Sequence, residues 1–395
     1  MTKTNARTRL LTLMARICTS HVSLCLAALS LGAGPATVAA AESLADLGKA
    51  LFFDMNFSAN RNQACASCHQ PGSAFSDARD NGIAGAVSRG SNPDSLGDRN
   101  APSLTYARFV PEFHRDEYDE YVGGYFHDGR AQTMHEQAHE PFLNPLEMAL
   151  PDVGAVAARV RENPSYVADL QKYFGADLFA DDDRVLSAVV SAIVEFERTE
   201  IFAPFDSKYD RFLRGEYSLT DEEEFGRVLF FSQLINCSSC HLADEREYSE
   251  RETFTNNQYH NIGVPANSTV RQENGLGKDY RDTGLLLNPR VSDTALAGKF
   301  RVPGLRNVAV TGPYMHNGVF QDLETVIHFY NKFIVSNPRS ETNPETGERW
   351  QDAEVTENVS LDLLREGQPL TDDRVAAVAA FLRTLTDRRY ESLLQ

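Results

Sequence analysis

Cys65-Ala66-Ser67-Cys68-His69 and Cys237-Ser238-Ser239-Cys240-His241 are two copies of one pentapeptide. Cys-x-x-Cys-His is the signature of covalent c-type haem attachment. Two thiols add across the haem vinyl groups, and the adjacent histidine becomes the proximal iron ligand. Two Cys-x-x-Cys pairs could also build a four-thiolate zinc cage. Against zinc, a histidine follows the second cysteine both times, and the pairs lie far apart within similar surroundings. The motifs therefore point to two c-type haems, attached through Cys65 and Cys68 and through Cys237 and Cys240, with His69 and His241 under the irons.

The surroundings repeat as well. Leu47-Gly48-Lys49-Ala50-Leu51-Phe52-Phe53 precedes the first motif, and Phe225-Gly226-Arg227-Val228-Leu229-Phe230-Phe231 precedes the second. Each has the pattern of an amphipathic helix whose phenylalanines pack as core against a haem edge. Downstream, Ala101-Pro102-Ser103-Leu104 echoes Val302-Pro303-Gly304-Leu305, and Tyr125-Phe126-His127-Asp128-Gly129 echoes Tyr314-Met315-His316-Asn317-Gly318. A helical segment follows each echo, over 133–140 and 323–329, and helical apolar spacing recurs over 152–174, 183–200 and 372–385. Stretches 82–100 and 336–356, rich in Gly, Pro, Asn and Ser, have loop composition. Neither half carries extended strand alternation. The expected fold is mostly α: two tandem cytochrome c-like haem domains related by internal duplication, with long connecting loops, over residues 42–205 and 206–395.

The first 41 of the 395 residues have the form of an export signal. Lys3, Arg7, Arg9 and Arg16 make a basic start, 22–33 a short apolar core, and Ala39-Ala40-Ala41 a small-x-small cleavage pattern. That core is short against the roughly 20 apolar residues needed to span a bilayer, and Leu24 is too large to precede a lipid-attachment cysteine at Cys25. Export to the periplasm fits c-type attachment, which takes place outside the bacterial cytoplasm, and implies a protein that does not span the membrane. Cys18 and Cys25 leave with the signal, so all four remaining cysteines belong to the haem motifs and none is left for a structural disulfide. The formal charge is −18, or −22 without the four basic signal residues. So acidic a surface argues against nucleic acid and suits a basic protein partner.

The porphyrin takes four positions of a haem iron and the proximal histidine a fifth, so chemistry turns on the sixth. Aligning His127 with His316, an offset of 189 residues, sets Pro141 of the first half opposite Tyr330 of the second. A phenolate oxygen can ligate ferric iron, whereas proline has no side-chain donor. One iron is then closed and suited to electron transfer, the other open to hydrogen peroxide. Tyr330 could equally be an ordinary buried aromatic, and Met315, His316, His328 and His260 are rival ligands. His328 stands about 200° around the helix from Tyr330, so the two cannot face one iron.

His135-Glu136-Gln137-Ala138-His139 matches a zinc-protease pattern. Pro141 is expected to disrupt the helix such an enzyme must continue, and Gln137 and Pro141 share a face from which His135 and His139 point away. The match is therefore set aside. Splitting peroxide also calls for a group that moves a proton from the inner to the outer oxygen. Glu147, just past the Pro141 and Pro145 turns, is the candidate, against the commoner fate of a solvated loop carboxylate.

Together these residues resemble the bacterial di-haem cytochrome c peroxidase and MauG family, over nearly the whole chain from Leu47 to Asp387. The specific parts are the paired haem motifs, Arg99-Asn100-Ala101-Pro102-Ser103, Asp128-Gly129-Arg130-Ala131 and the run 300–318. The resemblance implies that the N-terminal haem is peroxidatic and the C-terminal haem transfers electrons. It also implies that Gln137, Pro141 and Glu147 line the distal pocket. A calcium ion between the domains would be ligated by Asn100, with partner carbonyls expected upstream of Phe300. The likeness leans to MauG. Ordinary members usually carry Met at the Tyr330 position and a histidine in the loop after the first motif, whereas no histidine lies between Gln70 and Phe113 here. The first iron would then be open in the oxidised protein without reductive activation. MauG shares two oxidising equivalents between its haems and oxidises tryptophan in a partner protein. Where the family usually has Trp between the haems this chain has His127, and its one tryptophan, Trp350, is placed in a distant loop. Imidazole is harder to oxidise than indole, so His127 is expected to bridge the haems by hydrogen bonds.

The expected function is an exported di-haem enzyme that reacts with hydrogen peroxide at the His69 haem and draws electrons through the His241 haem. The electrons would come from a small periplasmic redox protein or from a side chain of a protein substrate. A pure electron-transfer cytochrome is the alternative of a different class, and it requires both irons to be six-coordinate.

Overall fold

The computed structural model describes residues 41–242 and 251–394. The export signal expected over 1–41 lies outside these residues, apart from Ala41. Six helices accompany the first motif: α1 (Leu44–Phe52), α2 (Cys65–Cys68), α3 (Met134–Leu143), α4 (Val153–Arg161), α5 (Pro164–Phe174) and α6 (Asp182–Glu197). Six follow: α7 (Lys208–Leu213), α8 (Asp221–Phe231), α9 (Ser268–Glu273), α10 (Leu323–Asn331), α11 (Leu361–Leu364) and α12 (Asp372–Thr384). Strand is confined, among the described residues, to two antiparallel pairs of two residues each. β1 (His114–Arg115) pairs with β2 (Tyr121–Val122), and β3 (Tyr259–His260) with β4 (Phe300–Arg301), Tyr259 opposite Arg301. The protein is mostly α, as its apolar spacing predicts, with long irregular connections over 82–100 and 336–356.

α1 starts at Ser43, which closes a capping box with Asp46, and turns Leu47, Leu51 and Phe52 inward. α8 starts in the same way with Thr220 and Glu223 and buries Leu229 and Phe230. Each packs across a later helix, α1 on α6 and α8 on α12. A glycine permits each crossing. A Cβ on Gly48 would lie 1.8 Å from the Ala192 carbonyl oxygen, and one on Gly226 would lie 1.8 Å from that of Ala377. Only a hydrogen fits there.

An aromatic cluster surrounds each crossing. Phe52, Phe75, Phe196 and Phe202 meet at 4.1–6.2 Å between ring centres. Tyr209, Phe230, Phe254 and Phe381 meet at 5.2–6.3 Å. Such edge-on and stacked pairs add to the burial of large apolar rings. Two loops also correspond: Tyr125 bridges to Ala131 with Phe126 at φ 62°, and Tyr314 bridges to Phe320 with Met315 at φ 71°.

Three boundaries differ from expectation. The spacing over 152–174 is split, because Asn163 caps a new helix at Pro164. Proline has no N–H for a continuing helix, yet suits a first turn. α6 stops at Glu197, short of residue 200. Pro141 does not end α3: it sits in the last turn, and the helix runs on to Leu143. The Asn144 N–H still reaches the Glu140 carbonyl at 3.1 Å, so only the bond that proline cannot donate is lost.

Candidate active site

α2 carries Cys65 and Cys68, followed at once by His69; a 3-10 turn over Cys237–Ser239 opens the second set. Both histidine rings are oriented alike. His69 Nδ1 lies 3.1 Å from the Phe75 carbonyl oxygen, and His241 Nδ1 lies 3.2 Å from that of Phe254. A bond there keeps the hydrogen on Nδ1 and leaves Nε2 as the free basic nitrogen. Phe75 and Phe254 both adopt left-handed φ, 52° and 59°, a conformation bulky residues take only when their surroundings enforce it. Their rings belong to the two aromatic clusters, so each core aims a carbonyl at its own histidine.

All six motif side chains line one cavity of about 800 Å³ with largely apolar walls. The four cysteines form no disulfide, and burial pushes the thiol pKa of Cys68 up to about 11 and that of Cys237 up to about 12. Covalent haem attachment needs two unpaired thiols, an imidazole with a free Nε2 and an apolar enclosure, and this donor set is present twice. Among the described residues no three His, Cys, Asp or Glu side chains gather into a group that could hold a metal ion.

α3 presents Gln137 and Pro141 to the cavity, whereas His135 and His139 are not part of its wall. Glu147 joins them from the loop beyond. Asn144 Nδ2 donates to its Oε1 at 2.9 Å, and burial pushes the carboxyl up to about 7 despite the nearby Arg130 charge. Arg130 is itself held by Asp128 and Glu140.

α10 brings Tyr330 to the cavity, where Met315, His316 and His260 also contribute walls and His328 does not. Burial raises the Tyr330 phenol, and the Cys240 and Cys237 thiols raise it further, which sets it beside the second motif. Among the described residues His260 Nε2 is buried without a hydrogen-bond partner, and burial lowers its pKa to about 4. Trp350 stands in the irregular segment after α10 and is not part of the cavity wall. Its ring packs 5.6 Å from Phe320 and 5.4 Å from Phe329, the neighbour of Tyr330, because the segment after α10 folds back over that helix.

Asn100 joins His127 to His316. Its carbonyl accepts from His127 Nε2 at 2.9 Å, its N–H donates to the His316 carbonyl at 2.7 Å, and its side-chain amide donates to the Ala86 carbonyl at 3.0 Å. Burial lowers His127 to about 4, so the ring is neutral at physiological pH. His316 stacks on Phe300 at 3.6 Å and 13°. Arg99 fastens the same region, with two bonds of 2.7 Å to Asp282 and one of 2.6 Å to Asp128.

Glu197 carried no mark in the local pattern, where a glutamate between Glu195 and Arg198 looks like helix surface. It ends α6, is 5% exposed and faces the cavity near Cys65. The available signal was an echo, Phe196-Glu197-Arg198-Thr199 against Phe381-Leu382-Arg383-Thr384.

Two Cys-x-x-Cys-His motifs opening on one cavity of a mostly helical chain define a di-haem c-type oxidoreductase. The family described as Di-haem cytochrome c peroxidase matches residues 42–218. The methylamine utilization protein MauG of Paracoccus denitrificans (strain Pd 1222) is 50% identical over 376 residues, 94% of this chain and 97% of that protein. The diheme peroxidase BthA of Burkholderia thailandensis E264 superposes with a TM-score of 0.78 at 33% identity, over 89% of this chain and 88% of its own. A MauG-like protein associated with microbial copper homeostasis matches with a TM-score of 0.62 at 28% identity, over 90% and 92% of the two chains. The chain belongs to the MauG and di-haem cytochrome c peroxidase family, and it is an enzyme, a MauG-like di-haem peroxidase. Among the described residues no helix is long and apolar enough to cross a membrane.

Proposed function

We propose that this enzyme, exported to the periplasm, activates hydrogen peroxide at the haem held by Cys65, Cys68 and His69. It draws electrons through the haem held by Cys237, Cys240 and His241. The observation that carries this is the contrast at matched positions, Pro141 on the cavity in the first half and Tyr330 in the second. The matching is supported by the two glycine crossings, the two left-handed phenylalanines and the two bridged loops. These favour duplicated haem domains over 42–205 and 206–395.

When bound, a haem on His69 supplies the iron at which peroxide is held and its O–O bond is cleaved. Pro141 lines this side of the cavity without a side-chain donor, so α3 would leave room there for the oxidant. Glu147, ionised, takes the proton from the inner peroxide oxygen and returns it to the outer one; a carboxyl near 7 is poised for both roles. The Gln137 amide, one helical turn from Pro141, holds the oxidant by hydrogen bonding. Burial keeps the Tyr330 phenol protonated in an apolar wall, and Tyr330 would be the residue that holds a haem iron on the His241 side, where a neighbouring positive charge favours the phenolate. His127 ties the first site to the second through the Asn100 backbone. Asn100 would also hold a calcium ion, which takes amide and backbone oxygens, since its nitrogen is spent on Ala86 and its Oδ1 remains.

The 50% identical relative is named for methylamine utilization. Tyr330, and the lack of histidine between Gln70 and Phe113, favour a MauG-type reaction in which a partner protein's side chain supplies the electrons. A small periplasmic redox protein as donor is the second reading, favoured by His127 where an oxidisable indole would stand. Electron paramagnetic resonance of the oxidised, haem-loaded protein tests the asymmetry. One high-spin and one low-spin ferric signal are expected, and two low-spin signals would overturn the proposal.

A further inference from the structure

α6 delivers its last residue, Glu197, to the part of the cavity beside the first haem motif. The side chain is 5% exposed, and its remaining surface is cavity wall. Among the described residues it has no hydrogen-bond or ion-pair partner. A buried carboxyl without a partner costs stability that an apolar side chain would not. α12 supplies the comparison, because it crosses α8 at Gly226 as α6 crosses α1 at Gly48. There the matched residue is Leu382, facing the cavity from the second side. The first site alone keeps the acid.

Resting on the haem assignment above, we propose that Glu197 is a redox-linked proton-uptake group of the first site, gaining one proton when that site gains one electron. The groups that feel its charge are the Cys65 thiol on α2 and the Tyr125 phenol in the loop before α3. Haem attachment converts the first to a thioether, and the second donates to the Ala107 and Val110 carbonyls at 3.3 Å. α1, α3 and α4 meet α6 through apolar core, Phe52, Ala138 and Val156 among them. Burial therefore dominates, and it pushes Glu197 up to about 8. A ferric haem core carries one net positive charge, which favours the carboxylate; reduction removes that charge and favours the carboxyl. As one electron from a one-electron donor reduces ferric iron to ferrous, the Glu197 carboxylate takes one proton from solvent. An O–H bond forms on the carboxyl as one in the solvent's hydronium breaks. Reoxidation releases the proton.

Redox-difference infrared spectroscopy and spectroelectrochemical titration of the haem-loaded protein, from about pH 6 to about pH 9, test this. A protonated-carboxyl band is expected to grow as the high-spin haem is reduced, and that haem's midpoint potential is expected to fall as pH rises. Glu197→Gln should lose the part of the band that Glu147→Gln retains and flatten the slope on the alkaline side, with the spin states of both haems unchanged. Glu197→Leu copies the side chain that the matched helix already accommodates and should behave alike, so the test survives poor folding of the amide variant. Glu147→Gln should keep the band. A band and slope undiminished without Glu197 overturn the assignment. A wild-type protein with no high-spin haem refutes the site reading beneath it instead.

Discussion

Replacing Glu147 with glutamine isolates the proton transfer on which peroxide activation depends. Burial holds this carboxyl at about 7 rather than the usual 4.5. Between about pH 6 and about pH 7 its ionised fraction therefore rises about fivefold, and over the next unit by less than about twofold. The ionised form is the one that accepts the first proton, so the second-order rate constant with peroxide is expected to climb with pH and level off just above neutrality. A carboxylate at its usual value would be ionised throughout that range and give a flat profile. Removing a positioned acid–base group forfeits about 10²–10⁴ in rate, or about 3–5 kcal/mol of barrier. Glutamine keeps the size of the side chain and an oxygen for the Asn144 amide, so haem content and spin state should stand. Stopped-flow mixing of the oxidised protein with peroxide, followed in the Soret band across the pH range, measures both effects. A variant within about threefold of wild type, where about 10² or more is expected, would refute the role. So would a flat wild-type profile.

Tyr330→Phe is expected to change the low-spin haem spectrum and spare the high-spin one; an unchanged low-spin spectrum would move the ligand to Met315, His316 or His260. In an ordinary helix Gly→Ala gains about 1 kcal/mol. Gly48→Ala should instead cost about 1–3 kcal/mol, because the methyl meets the Ala192 carbonyl oxygen. Melting of the haem-loaded protein reports it, with Gly226→Ala behaving alike and Gly72→Ala, in open space, serving as the neutral control. Arg306 is buried and gives Asp210 two bonds, of 2.6 and 2.9 Å. Asp210→Ala leaves that guanidinium buried without its carboxylate and should cost about 3–5 kcal/mol in urea denaturation; a loss under about 1 kcal/mol would show that the pair behaves like a solvated one.

α1 and α8 could be recognised in the chain because capping residues, apolar spacing and a following haem motif fall within a short stretch. The split at Asn163-Pro164 was hidden, since the apolar spacing runs through both helices. The helix-breaking reputation of Pro141 misled in the opposite sense, because one missing donor in a final turn does not unwind it. Glu147 lies on a loop whose inward course depends on contacts such as the Met148 N–H to the Pro141 carbonyl, 3.1 Å. No helical or strand period describes that. Trp350 and Glu197 were out of reach for a related reason: the residues that give them meaning, Phe329 and Cys65, are remote in the chain. Comparing the halves position by position carried furthest. It pairs Pro141 with Tyr330 from the chain alone, and the same comparison extended to α6 and α12 pairs Glu197 with Leu382.

Where α1 crosses α6 and α8 crosses α12, main chain rests on main chain, with no side chain between to act as a cushion. Each pair is consequently a stiff strut. One leg of the first precedes the Cys65 turn in the chain and the other ends at Glu197, so the crossing fixes the spacing of the two helices that flank the first site. Engineering that aims to retune one metal centre without disturbing its attachment belongs away from these girders.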